Sequence, residues 1–101
     1  MATDPLFPDR RSLAQVCERY GIIRLALFGS TLNGTARPDS DVDLLVEFQP
    51  GRVPGFLGLA QIEEDLSSLL SGRRVDLRTA ADLSRYFRDQ VVREAAVQYA
   101  A

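Results

Sequence analysis

The chain has 101 residues, of which 46% are hydrophobic and 26% charged, and its formal net charge is −2 at pH 7. This composition is typical of one small folded domain, and the near balance of charge argues against a strongly basic nucleic-acid-binding protein. All 12 basic residues are arginine, so the chain has no lysine, and it has no histidine either. Lysine nucleophiles, Ser-His-Asp triads and histidine-ligated zinc are therefore excluded, which leaves carboxylates, hydroxyls, backbone amides and arginine for chemistry.

No sign of export or of membrane insertion is visible in the sequence. The residues after Met1 are not basic and precede no apolar run, so we expect no signal peptide. The apolar stretches are much shorter than the roughly 20 residues of a membrane-spanning helix. The single cysteine, Cys17, has no partner for an internal disulfide, which suits a reducing compartment. We expect a cytoplasmic protein with a single domain over residues 1–101.

The first half of the chain has the pattern of one helix and two strands. Apolar residues on one helical face predict a helix over about residues 9–20, with Asp9 as the N-cap and Gly21 as the C-cap. Residues 22–28 are apolar on both faces, which is typical of a strand in the centre of a sheet. Residues 41–48 alternate between apolar and mostly acidic side chains, which predicts a strand with one core face and one partly acidic face.

The second half predicts helix, strand and helix. Apolar residues at helical spacing indicate a helix over 56–72, and 74–79 have the pattern of a third strand. Thr79 and Asp82 resemble a capping box, and the apolar spacing behind them predicts a last helix that reaches Tyr99. We therefore expect an α/β (α+β) fold, with a small mixed sheet of three or four strands and helices packed on one side.

Three aspartates lie on the non-core faces of the predicted strands. Asp41 and Asp43 are two residues apart, so both side chains leave one face, with Cα atoms about 6.6 Å apart. Asp76 lies on the corresponding face of the third strand. If these strands are neighbours, three carboxylates converge, and divalent cations must offset their repulsion, as in two-metal phosphoryl or nucleotidyl transfer. Glu47 shares this face but lies about 13 Å from Asp43 along the strand, so we expect it to be solvated.

Gly29 and Ser30 end the first predicted strand. Glycine allows a close approach of the backbone, and the free amides of a helical turn that begins at Ser30 form an anion site. The ten residues between Ser30 and Asp41 have the composition of turns and lead back to the second strand. A phosphate site and a metal site would then adjoin. Arg37 in this loop is a candidate phosphate ligand, and a solvated loop arginine is the alternative.

The pattern Gly29-Ser30, ten residues, then Asp41-Val42-Asp43 resembles the signature of the DNA polymerase β-like nucleotidyltransferase superfamily, with Asp76 matching its third carboxylate. The longer run over 28–46 is similar to the minimal nucleotidyltransferases, the MNT-type antitoxins that are paired with small HEPN-domain toxins. This likeness covers nearly the whole chain and is strongest over 27–48. It implies the polymerase β-like nucleotidyltransferase fold.

The resemblance also implies roles for these residues. Asp41 and Asp43 would bind two Mg²⁺ ions, with Mn²⁺ as an alternative, and Asp76 would hold one ion and help to deprotonate the attacking hydroxyl. Gly29 and Ser30 would contact the β- and γ-phosphates of ATP or another nucleoside triphosphate. Minimal members transfer AMP to a tyrosine of the HEPN toxin, and this modification inactivates the toxin. The toxin also supplies the half of the active-site cleft that the small nucleotidyltransferase lacks. We expect such an adenylyltransferase antitoxin, with no membrane and no direct nucleic-acid partner.

Other interpretations remain open at this point. The chain could be a non-catalytic antitoxin that only masks its partner. Asp76 could form a surface ion pair with Arg74 or Arg78, and Gly29-Ser30 could be a simple turn.

Overall fold

The computed structural model describes residues 6–29, 41–86 and 88–101. The elements in chain order are α1 (Arg10–Tyr20), β1 (Ile22–Phe28), β2 (Val42–Phe48), α2 (Phe56–Leu69), β3 (Val75–Arg78), a 3₁₀ turn (Ala80–Asp82), α3 (Arg88–Glu94) and β4 (Ala96–Ala100). The strands form one sheet in the order β3-β2-β1-β4. β1 is antiparallel to both β2 and β4, and β2 is parallel to β3. The expected mixed sheet is confirmed, with four strands; the helical turn expected at Ser30 lies outside the described residues.

The two faces of the sheet differ in what covers them. One face packs against α1 and α2, and we call the other the open face. The residues of the resulting core that are almost fully buried include Leu13, Cys17, Leu25, Leu27, Leu44, Val46, Ile62 and Leu66. On the open face, Phe28 lies opposite Asp43 and Ala26 lies opposite Leu45. The alternation predicted for residues 41–48 is therefore confirmed, since its apolar residues enter the core while Asp43 lies on the open face.

Local capping chemistry sets the ends of α1. The side chain of Asp9 accepts a hydrogen bond of 3.1 Å from the backbone N–H of Ser12, and Gly21 has a φ of 72°, which favours glycine. Both predicted caps are confirmed. The predicted helix over 56–72 is confirmed as α2, which ends at Leu69; its buried residues are Ile62 and Leu66, and Phe56 at its first position is 88% exposed.

No helix in the described ranges combines the length and the hydrophobicity needed to cross a membrane.

Of the predicted last helix that reaches Tyr99, only Arg88–Glu94 is helical, as α3; residues 83–86 are not helical, and Ala96–Ala100 form a strand. The capping box of Thr79 and Asp82 is present, but it caps only the 3₁₀ turn, and the chain after α3 continues as a strand. In β4, Tyr99 lies opposite Leu25 of β1. This pairing supplies hydrogen-bond partners to the outer edge of β1, which would otherwise lack them. Apolar spacing misled the prediction because a strand partner far away in the chain leaves no local pattern.

Candidate active site

Asp43 and Asp76 lie side by side on the open face. They are Cα partners in the parallel pairing of β2 with β3, where neighbouring strands lie about 4.8 Å apart. Asp41 comes two residues earlier, immediately before β2, and its side chain is 48% exposed. The condition set by the sequence, that the strands carrying these acids are neighbours, is therefore met.

The pKa of Asp43 is raised, chiefly by burial. Burial raises the pKa of Asp43, the neighbouring charges of Asp76 and Asp41 also raise it, and the positive charge of Arg78 opposes them. Desolvation is the largest of these causes. The Asp43 carboxylate is therefore both partly desolvated and in the field of two other acids, which favours its neutral form.

Two arginines form ion pairs with Asp76 and Asp41. Nε and Nη2 of Arg78 donate hydrogen bonds of 3.3 and 3.2 Å to Oδ2 of Asp76. Nε of Arg74 lies 3.9 Å from Oδ1 of Asp41. The ion pair considered for Asp76 is thus present, with Arg78 as the partner. In the part of the chain that the structure describes, no three acidic or cysteine side chains lie close enough together to hold a metal ion. The expected convergence of all three carboxylates is therefore not observed among the described residues: Asp43 and Asp76 are adjacent, and Asp41 lies next to Arg74.

Gly29 allows the end of β1 to lie directly against Asp43. Its φ of 79° is in the left-handed region, and it follows Phe28, which is the Cα partner of Asp43. A Cβ atom at this position would lie 2.6 Å from Oδ2 of Asp43, so any larger residue would displace the carboxylate or the backbone. The other two predicted nucleotide-binding residues, Ser30 and Arg37, lie outside the described residues.

A cavity of about 630 Å³ opens on the same face of the sheet. The residues that line it include Arg24, Ala26, Leu45, Glu47, Val53, Ala80 and Val92. Leu45 is the next residue after Asp43 on this face of β2, about 6.6 Å further along, so the cavity continues from the carboxylates. Glu47 is exposed, as expected, and lies at the cavity wall. Small-molecule sites have volumes of roughly 300–1,000 Å³, so this face offers both carboxylates and a binding volume.

Glu63 is a residue that the sequence analysis did not identify. Its Oε2 accepts a hydrogen bond of 2.8 Å from the backbone N–H of Leu77. Leu77 directly follows Asp76, and β3 is an edge strand, so this bond ties the edge beside Asp76 to α2. No local signal in the sequence shows that β3 packs next to this residue.

The donor atoms of the pair suit a divalent cation that is shared with phosphates. Asp43 and Asp76 offer adjacent carboxylate oxygens, which are the hard ligands that Mg²⁺ and Mn²⁺ prefer. The acids around Asp43 that raise its pKa leave negative charge that a cation would offset. Mg²⁺ in enzymes is commonly bound through one or two carboxylates plus substrate phosphates, so two adjacent aspartates are sufficient for such a site.

Comparison with known proteins bears on the family and the fold of the chain. The profile of the family described as "Nucleotidyltransferase domain" matches residues 10–99. Protein adenylyltransferase MntA of Thermococcus cleftensis is 42% identical over 77 residues, which cover 76% of this chain and 75% of that protein. A solved structure described as a minimal nucleotidyltransferase is 43% identical, has a TM-score of 0.68 and is matched over 85% of both chains. A toxin–antitoxin structure with AMP-PNP, 21% identical, shares the fold with a TM-score of 0.68 over 92% of this chain and 74% of that one.

Proposed function

Because the chain belongs to the nucleotidyltransferase domain family, which matches residues 10–99, we propose that it transfers AMP from ATP to a hydroxyl group of a partner protein and acts as an antitoxin. The family resemblance identified in the sequence is confirmed by this match and by the similarity to a minimal nucleotidyltransferase structure. Enzymes of this family generally use divalent metal ions. The observation that carries the proposal is the adjacency of Asp43 and Asp76 on the open face, with Gly29 against Asp43.

In the proposed reaction, each aspartate has a role. We assign Asp41, Asp43 and Asp76 as the ligands of two Mg²⁺ ions, or of Mn²⁺. The chemistry that such ions supply when bound is neutralisation of the charge on the transferred phosphoryl group. Asp76 accepts the proton of the acceptor hydroxyl through its carboxylate. The hydroxyl oxygen then bonds to the α-phosphorus while the bond from that phosphorus to the pyrophosphate oxygen breaks, so that pyrophosphate leaves.

The nucleotide-binding residues that we propose are Gly29, Ser30 and Arg37. Gly29 supports this assignment because its lack of a side chain keeps the backbone at the end of β1 open, immediately beside the carboxylates. Backbone amides at such a turn bind phosphate oxygens, and an arginine in the following loop would add a charged donor. This leaves the cavity on the open face for the nucleoside and the acceptor side chain.

We propose that the acceptor is a tyrosine of a small HEPN-domain toxin. A relative with 42% identity is named a protein adenylyltransferase, which supports a protein acceptor. A solved MntA–HepT toxin–antitoxin structure is 18% identical to this chain and has a TM-score of 0.61, so a chain with this fold occurs in such a pair. A purely masking antitoxin is the competing function, and the ion pairs of Asp41 and Asp76 with arginine are compatible with it.

The two functions can be separated by labelling. The purified chain is incubated with the HEPN-domain protein of the same genome, Mg²⁺, and ATP that is labelled at either the α- or the γ-phosphate. Adenylyl transfer predicts that only the α-label enters the HEPN protein and that chelation of Mg²⁺ prevents it. If the HEPN protein is neutralised in a toxicity assay while neither label enters it, the masking function is correct and the transfer proposal is not.

A further inference from the structure

Among the described residues, Arg78 forms the shortest ion pair with a proposed metal ligand, with Nη2 3.2 Å from Oδ2 of Asp76. It lies two residues after Asp76 on β3 and is the Cα partner of Leu45, which places it on the open face between the carboxylates and the cavity. Two of its nitrogen atoms donate to the same oxygen, Oδ2 of Asp76, at 3.2 and 3.3 Å. One carboxylate oxygen of the proposed metal site is therefore already hydrogen-bonded to an arginine.

The second arginine at the site provides a contrast. Nε of Arg74 lies 3.9 Å from Oδ1 of Asp41, and the arginine side chain is 82% exposed. The side chains of Arg78 and Asp76 are 50% and 35% exposed, and their contact is closer. Ion pairs gain strength from proximity and from partial burial, so the pair of Asp76 is the stronger of the two.

We propose that Arg78 is a resident cation that holds Asp76 until a divalent ion arrives with the nucleotide, and that its displaced guanidinium then binds the phosphate chain. The two hydrogen bonds from Arg78 occupy both lone pairs of Asp76 Oδ2, so a divalent ion that coordinates this oxygen competes with the guanidinium for it. A displaced guanidinium remains beside the site, and its planar set of donors matches phosphate oxygens. This inference rests on the proposed function, because it takes Asp76 as a metal ligand.

Removal of the Arg78 guanidinium should strengthen the binding of Mn²⁺ and weaken the binding of ATP. In Arg78→Gln, Asp76 no longer has a competing partner, so Mn²⁺ should bind about two- to fivefold more tightly in the absence of nucleotide. ATP at saturating Mn²⁺ should bind roughly tenfold more weakly, because a charged donor to phosphate is lost. A side chain that only stabilises the strand would change neither affinity in this paired way.

The measurement is a Mn²⁺ titration followed by electron paramagnetic resonance of the free ion, with ATP affinity measured separately by calorimetry. Arg74→Gln is the matched control, since it removes an arginine that is more exposed and further from its aspartate. Its gain in Mn²⁺ affinity should be smaller than that of Arg78→Gln. Arg78→Lys keeps the charge without the paired donors and should lie between wild type and Arg78→Gln for both ligands.

A double-mutant cycle with Asp76→Asn shows whether the effect runs through Asp76. The gain from Arg78→Gln should disappear in the Asp76→Asn background. If the gain persists there, or if Arg78→Gln leaves Mn²⁺ affinity unchanged while Asp76→Asn weakens it, the inference is overturned and the proposed metal site stands. If Asp76→Asn itself leaves Mn²⁺ affinity unchanged, the metal site of the proposed function fails. An ATP affinity of Arg78→Gln equal to that of wild type would overturn the phosphate-binding role.

Discussion

Replacement of Gly29 by alanine tests whether the end of β1 sets the position of the Asp43 carboxylate. The added Cβ atom would lie 2.6 Å from Oδ2 of Asp43, whereas ordinary contacts begin at 3.4 Å, so one of the two groups has to move by about 0.8 Å. The backbone contributes a second cost, because the φ of 79° lies in the left-handed region, where an L-residue loses about 1–2 kcal/mol.

Gly51 separates these two effects. Its φ of 80° is almost the same, but a Cβ atom there would have no heavy atom within 4 Å. Gly51→Ala therefore bears the backbone cost without the contact. We expect Gly51→Ala to lower the free energy of unfolding by about 1 kcal/mol, since the smaller conformational freedom of alanine in the unfolded chain offsets part of the strain, and Gly29→Ala to lower it further because of the added contact. Only Gly29→Ala should also lose AMP transfer, by on the order of a hundredfold, as expected for a misplacement near 1 Å.

The assay combines urea unfolding with single-turnover transfer of AMP to the partner protein. A transfer rate of Gly29→Ala equal to that of Gly51→Ala would refute the reasoning, because it would show that the close approach to Asp43 has no consequence for the reaction.

Three further substitutions have expected outcomes. In metal-free buffer at pH 7, Asp43→Asn should raise the melting temperature, because like charges on neighbouring strands cost up to about 1 kcal/mol; the gain should vanish as the pH falls and Asp43 is protonated. Burial raises the pKa of Cys17 from 9.0 to about 12. Because the thiol ionises more easily in the unfolded chain, the free energy of unfolding should fall as the pH rises above 9, by up to about 1.4 kcal/mol per pH unit. Urea unfolding of Cys17→Ala should show a flatter dependence over that range. Glu63→Ala should lower the free energy of unfolding by about 1–3 kcal/mol and speed hydrogen exchange at the Leu77 amide, whereas Glu63→Gln should retain most of both.

Features that depend on local chemistry were predictable from the sequence. The caps of α1 follow from Asp9 and Gly21, and the faces of β2 follow from an alternation that only Leu45 interrupts. The adjacency of Asp43 and Asp76 was expected only on the condition that their strands are neighbours, and the parallel register of β2 with β3 satisfies it.

Features that depend on distant partners were not predictable. β4 is a strand because it pairs with the outer edge of β1, and the apolar spacing around Tyr99 fits a helix equally well. The hydrogen bond of Glu63 to the Leu77 amide depends on how α2 lies beside β3. Arg78 was considered as a surface ion pair of Asp76, but its place on the open face beside the cavity follows from the strand register.

The most direct test of the account compares AMP transfer by the wild type with transfer by Asp41→Asn, Asp43→Asn and Asp76→Asn. Glu64→Gln is the control, because this exposed acid lies on α2, which packs against the other face of the sheet. Loss of about 4 kcal/mol of transition-state stabilisation corresponds to roughly a thousandfold in rate. We expect a loss of at least that size in each of the three aspartate variants and a wild-type rate in Glu64→Gln. Transfer by folded Asp43→Asn and Asp76→Asn at the wild-type rate would contradict it.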